Sequence, residues 1–402
     1  MFFLTLLFVV DSVFHYTRVL LGGTNIGRVF ILALLLCFSF SDFIKSGCIR
    51  VNKYHCSLFI LTSLLLLGYI KTMLFNGDVS YANIYIMNGF VYLLFLPIME
   101  NLIIDKESLI KFLKMSFGVG SILSIISVLL IISSFIMPSF YGQLINVLVE
   151  YHALNGISAY SGTIRIMLNG VLFQVLAIFV GVYLYFISKH KMMIIILVGI
   201  NLLGIIFTYT RGLIFGVALG GLLWLFLSKR AGSKQRKNRR SLIILVLLFF
   251  VVLVLYSIVG SHGAVFSFLM DRFFQRTVDT LQSDMFRITL MKMAFEKILE
   301  APIFGSGLGS HISLRDGAIE MTYLDIVIRI GIVGLICFLY PYLNMCVQLK
   351  NCDKDYLIRI TLLSALTAIF IASDTNPYLI TSGGFFIYCL CMHVFSFNID
   401  GA

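Results

Sequence analysis

Glu320 stands where a polar, glycine-rich stretch, APIFGSGLGSHISLRDGAIE (301–320), runs into an apolar helical pattern, MTYLDIVIRIGIVGL (321–335). In an oily chain a charged residue is costly, so a charge kept beside an apolar helix is a candidate for function. A carboxylate at the start of a helix is favoured in its ionised form by the helix dipole. Two readings follow. Glu320 is a general base that takes a proton from a bound hydroxyl, or it is a first-turn carboxylate that caps the helix. Arg165 in SGTIRIMLNG, Arg211 in TYTRG and Arg287 in DMFRITLMKMAFEKIL fall at or near the same face as Glu320. The planar fork of arginine suits phosphate and carboxylate oxygens. Taken singly, each arginine reads equally well as a snorkelling side chain or the partner of a loop acid. Taken together they point to an anionic ligand, with Glu320 beside it. Asp325 and Arg329, four apart, share a helix face and form an internal ion pair. Tyr323 and Arg329 are supporting candidates. His262 and His311 read as lone, solvated loop histidines, and Asp374-Thr375-Asn376-Pro377 as a structural turn.

The elements that position these residues are membrane helices. Hydrophobic residues make up 60% of the 402 and charged residues only 12%, at a mean hydropathy of +1.00. That charge fraction is about half that of a soluble domain. The continuous apolar runs exclude a β-barrel, whose strands alternate. The expected fold is all-α: a single integral membrane domain over 1–402 with about twelve spans of roughly 20 residues each. The spans fall at 1–16, 28–45, 57–75, 83–100, 111–136, 165–187, 192–208, 212–228, 241–260, 323–347, 358–373 and 382–397. The first, MFFLTLLFVVDSVFHY, lacks a basic leader and a small-residue cleavage site, and reads as a retained helix.

Charge sets the orientation. With the N-terminus inside, 18 of the 30 Lys and Arg fall in cytoplasmic loops, seven of them in the basic loop 228–240. Of the 12 on the other side, six lie in one long loop, 261–322. Long loops cross largely regardless of charge, which leaves 18 against 6 and puts both termini in the cytoplasm. The net charge of +11 is therefore a topology signal and not a nucleic-acid footprint. The two long outer loops are 137–163 and 261–322. Within the second, apolar residues at 286, 290, 293, 294 and 298 form a helical stripe, with Asp284 as its cap. Such a helix lies on the membrane surface or acts as a lid over a cavity. GSGLG (305–309) reads as a flexible turn after Ala301-Pro302. GxxxG spacing at 212–216 and 216–220 predicts close helix packing. The eight cysteines show no CxxC pair and no metal-like spacing with His, so neither a disulfide nor a metal site is expected. No P-loop or dinucleotide fingerprint is present.

Three pieces carry a resemblance: TYTRGLIFGVALGGLL (208–223), FRITLMKMAFEKILEAPIFGSGLG (286–309) and EMTYLDIVIRIGIVGLICFL (320–339), with Arg165 and Gly170 as a weaker fourth. In this order they resemble the O-antigen polymerase (Wzy) and O-antigen ligase superfamily of bacterial envelope glycan proteins. The resemblance covers about 165–340. It implies a class C type glycosyltransferase of the bacterial inner membrane, free of metal, nucleotide and other cofactors, with its active site facing the periplasm. Its donor and acceptor would be glycans on undecaprenyl diphosphate, held among membrane lipid, with a chain-length regulator as partner and no nucleic acid. Family ligases carry a His, then Asn, Ser or Gln, then nine residues, then GxxG. Counted back from Gly331 and Gly334, that His position is Glu320 and the next is Met321. The departure favours the polymerase over the ligase. Arg165, Arg211 and Arg287 would then bind the donor diphosphate and Glu320 would be the base. A flippase or transporter of lipid-linked glycans is the alternative from another class, but the chain shows no matched inverted halves.

Overall fold

The computed structural model describes residues 53–75, 77–150, 154–160, 163–230, 278–312, 319–350 and 355–396. The expected spans at 1–16, 28–45 and 241–260, most of the basic loop and His262 lie outside these residues. The described chain is a helical bundle: α1 (Lys53–Leu74), α2 (Val79–Leu102), α3 (Lys106–Ile136), α4 (Pro138–Glu150), α5 (Val171–Ile187), α6 (Lys191–Ile206), α7 (Arg211–Leu227), α8 (Val278–Glu300), α9 (Thr322–Lys350), α10 (Tyr356–Ala372) and α11 (Ser382–Ser396). Each expected span within the described residues is met by a helix. Among them α1, α3 and α9 are long and apolar enough to cross a membrane, and α5, α6, α7, α10 and α11 are shorter apolar helices.

Two sequence expectations need correction. Residues 165–168 do not open a span: they belong to strand β2 (Thr163–Leu168), which pairs antiparallel with β1 (Leu154–Tyr160), Arg165 opposite Ser158. The loop at 137–163 is largely structured, as α4 followed by this hairpin. The alternation in TIRIML, with β-branched residues at Thr163, Ile164 and Ile166, supports a strand but merges into the long apolar run of α5, which hides it.

Burial follows composition. α5 is apolar nearly all round and buried nearly all round, as are α10 and α11, the pattern of helices surrounded by other helices. The outer helices carry apolar stripes outward, such as Ile332, Ile336, Tyr340, Leu343 and Val347 on α9, as lipid contact requires. Helices in lipid gain no hydrophobic drive from pairing with one another, so close backbone approach and hydrogen bonds hold them. Asn201 of α6 donates to Ser121 (2.9 Å) and accepts from Ser124 (2.8 Å), both on α3. Trp224 of α7 donates its indole N–H to Thr361 of α10 at 3.1 Å. Side-chain atoms built on Gly212, Gly216 and Gly220 would meet Thr375, Ala368 and Ser364 in turn. The numbers rise along α7 as they fall along α10, so the two run antiparallel in the close contact that the GxxxG spacing predicts.

The ends of the bundle differ. At one end Lys106 pairs with Asp355, and the His393 ring meets the Ile103 carbonyl at 2.9 Å. At the other end the start of α2, the hairpin, the α6–α7 turn, α8 and the start of α9 come together.

Gly216→Val places a side chain into the Ala368 carbonyl and should lower the melting temperature and yield of the purified protein. Gly221→Val on the same helix, where an added Cβ meets nothing within 4 Å, should leave both near wild type in a thermal-shift measurement in detergent.

Candidate active site

The site is built around a break in α9. Gly331 sits inside the helix at φ 74, ψ −177, a region that only glycine adopts without strain. A break frees backbone groups, and in an apolar medium each free group costs several kcal/mol. The segment after α8 supplies the partners. The Ser306 and Gly307 N–H groups donate to the carbonyls of Ile328 (2.6 Å) and Arg329 (3.1 Å). The Ile332 and Val333 N–H groups donate to Pro302 (2.9 Å) and Ile303 (3.3 Å). GSGLG is therefore not a flexible turn. It is wedged into α9 and held from the other side by α1, where Leu308 N–H donates to the Gly68 carbonyl (3.1 Å), Gly309 N–H to the Thr72 hydroxyl (2.8 Å) and the Lys71 ammonium to the Gly305 carbonyl (2.5 Å).

α8 begins at Val278, so Asp284 lies within it and does not cap it. Its predicted stripe faces protein: Leu290 and Ala294 are buried against Ile312, Ile319, Met321 and Ile328, with Met293 and Ile298 half-buried beside them. Phe286, from the same predicted stripe, is exposed instead. Docking α8 on α9 in this way carries Arg287, one turn before Leu290, to Glu320. The Arg287 Nη2 to Glu320 Oε2 distance is 3.3 Å, and each side chain is about a third exposed (33% and 30%). A pair this open to solvent is worth at most about 1 kcal/mol, so a stronger anion can displace it.

Beneath it lies a pair of the opposite kind. Asp325 (0% exposed) and Arg329 (1%) are interior, with Arg329 Nε 3.1 Å from each Asp325 oxygen. The Tyr85 hydroxyl also donates to Asp325. The Tyr81 and Tyr85 rings face the guanidinium at 4.3 and 4.7 Å, a cation–π arrangement. The sequence identified the pair but not its companions on α2. Their i, i+4 spacing was the available signal. Arg329 is enclosed by the fold, whereas Arg287 meets the surface.

The other predicted residues lie around the same end. Arg211 is the first residue of α7, and its neighbour Gly212 abuts Thr375. The 373–376 turn also meets the start of α9, since the Thr322 N–H donates to the Ser373 carbonyl at 3.2 Å. Arg211 and Glu320 thus flank one turn. Arg165 stands two residues before Met167, whose sulfur contacts Thr210 (3.9 Å) and Tyr378 (3.6 Å). The hairpin therefore reaches the foot of α7. Tyr323 donates to the Phe370 carbonyl at 2.6 Å and ties α9 to α10. His311 is not a lone histidine: its Nε2 lies 3.1 Å from an Asp78 oxygen. Asp78 caps α2 by accepting from the Tyr81 N–H. The Ser80 hydroxyl first, and then that N–H, hold its carboxyl below its ordinary value of 3.8.

Residues 192–339 match the Wzy_C family model, described as O-Antigen ligase. Over that stretch the chain is similar to the O-antigen polymerase/ligase superfamily. No curated protein and no solved structure matches it. The matched stretch runs from α6 into α9 and contains Arg211, Arg287, Glu320, Asp325 and Arg329, with Arg165 before it. The matched family is one of glycosyltransferase-like enzymes of polysaccharide biosynthesis, and it implies lipid-linked glycans as substrates; the apolar helices of this chain are those of a membrane protein.

Gly331→Ala should strain the break by about 1–3 kcal/mol and loosen the wedge, read as faster proteolysis within 301–309. The Asp78 cap has a folded-state carboxyl value below the ordinary one. Its stabilisation is therefore complete above 3.8 and is lost as the pH falls through the folded-state value. Wild type should lose thermal stability over that acid range more steeply than Asp78→Asn.

Proposed function

We propose that the protein polymerises oligosaccharide repeat units carried on undecaprenyl diphosphate, working at the outer side of the bacterial inner membrane with both termini in the cytoplasm. The observation that carries this reading is the Arg287–Glu320 contact at 3.3 Å. It puts a carboxylate and an anion-binding cation side by side within the family-matched stretch, although 33 residues separate them in sequence. The orientation rests on the Lys and Arg distribution. Among described residues, Lys106, Lys111, Lys114, Lys189, Lys191 and Lys229 lie at or near the end of the bundle opposite the site.

The chemistry balances without nucleotide or metal. The hydroxyl oxygen at the non-reducing end of the acceptor bonds to the anomeric carbon of the donor glycan. The bond from that carbon to the diphosphate oxygen breaks, and undecaprenyl diphosphate leaves with the electron pair. Glu320 takes the hydroxyl proton. Arg165, Arg211 and Arg287 meet the charge that develops on the diphosphate. The weakness of the Arg287–Glu320 pair serves this scheme: diphosphate oxygens draw Arg287 away and leave the Glu320 carboxylate open to the acceptor hydroxyl. The polyprenyl tail lies along the lipid-facing helices, and a chain-length regulator is the expected protein partner. A ligase that moves the finished polymer to another acceptor is the second reading, favoured by the description of the matched family as O-antigen ligase. Glu320 at the ligase histidine position speaks against it.

Arg211→Ala and Glu320→Ala, each expressed at wild-type level in a strain lacking the gene, should lose long glycan, with turnover down about 100-fold or more. Long glycan from either variant removes that residue's role. The empty strain separates the readings. Single-unit glycan on the surface marks a polymerase, polymer retained on undecaprenyl diphosphate a ligase, and lipid-linked units trapped inside a flippase.

A further inference from the structure

The Asp325–Arg329 pair touches more than its own helix. Arg329 Nη1 donates to the carbonyl of Leu308 and lies 3.4 Å from that of Ser310. Asp325 Oδ1 accepts the Ile319 N–H at 3.1 Å, and Oδ2 accepts the Tyr85 hydroxyl. One buried pair therefore holds the backbone on both sides of 311–318, at Leu308–Ser310 and at Ile319, and fastens both to α2 and α9. Ile319 is the residue before Glu320. Its N–H is fixed by Asp325, and its side chain is buried against Leu290 and Ala294 of α8, the helix that brings Arg287.

We propose that Asp325, Arg329 and Tyr85 are positioning residues that clasp the two stems leading to Glu320 and so fix its carboxylate relative to the substrate. The inference rests on the reading of Glu320 as the base. A buried ion pair is a poor way to obtain stability alone, since apolar residues of similar volume do as well or better. What an apolar pair lacks is directed donors and acceptors for three backbone groups. The Arg329 fork spans Asp325 and the Leu308 carbonyl at once, and the carboxylate spans the guanidinium, the Ile319 N–H and the Tyr85 hydroxyl. Losing the clasp leaves the helices packed but lets the Glu320 backbone shift. A displacement of about 1 Å in a reacting group costs about 100-fold in rate.

The test uses the full-length protein reconstituted with a defined undecaprenyl-diphosphate-linked repeat unit. The double variant Asp325→Leu/Arg329→Met removes both charges together. It should still accumulate as folded protein, keep KM within about twofold, and lose at least about tenfold in kcat. Wild-type kcat in this variant overturns the clasp and leaves a structural pair only. Tyr85→Phe removes one hydroxyl, keeps the ring on the guanidinium, and carries the test if the double variant fails to accumulate. It should lower kcat several-fold at unchanged KM, and unchanged kcat overturns the proposal. Glu320→Gln run alongside separates the two levels. If it stays active, the reading of Glu320 falls and the clasp with it. If it is inactive while Asp325→Leu/Arg329→Met and Tyr85→Phe are fully active, only the clasp falls.

Discussion

A helix that breaks in an apolar medium must find partners for the backbone groups it frees, and much of the site's architecture follows from that requirement at Gly331. Water is not on hand to satisfy the carbonyls of Ile328 and Arg329 or the N–H groups of Ile332 and Val333, so another piece of chain has to be there. The piece is 302–307. Gly331 lies nine residues into α9, about 14 Å along its axis, so the segment after α8 must descend beside α9 to reach it. That descent draws α8 onto α9 and puts Leu290 and Ala294 against Ile319 and Met321. The polar ends of the structure are thus placed by a defect in one of its most regular elements.

Two acid–arginine pairs sit near each other and differ in nearly everything else. Asp325–Arg329 is enclosed, doubly bonded and flanked by two tyrosines. Separating it would leave a charge stranded in the interior, so it stays closed. Arg287–Glu320 is half-open, spans two elements and is held by a contact at the long end of hydrogen-bond range. Each side chain is about a third exposed, so a multivalent anion would compete well for it. The first pair suits a part that must not move; the second suits groups that must exchange partners during a reaction. The same residue chemistry gives either result, and burial decides which.

Much of the layout was legible in the chain. Continuous apolar runs marked the helices because only a closed set of backbone hydrogen bonds tolerates lipid. The 212–216–220 glycines marked the α7–α10 contact because close approach needs a missing side chain. The 325–329 spacing marked an ion pair because residues four apart share a helix face. The hairpin was missed because only Asn169-Gly170 separates β2 from α5, so the two read as one apolar run. GSGLG was misread because glycines that permit flexibility and glycines that permit close packing look alike in sequence.

The sequence by itself determined that this is a helical membrane protein, where charged residues fall beside its helices, and which of them share a helix face. These are properties of residue type and local spacing, and local spacing fixes a helix face or an apolar run. Only the tertiary structure decided that Glu320 meets Arg287, that Arg329 is enclosed by the fold, that His311 lies on Asp78, and that α1 and α2 complete the surroundings of a site whose main residues come some two hundred positions later. Contacts between distant segments depend on how helices cross and where one of them breaks, and no short-range pattern in the chain records either.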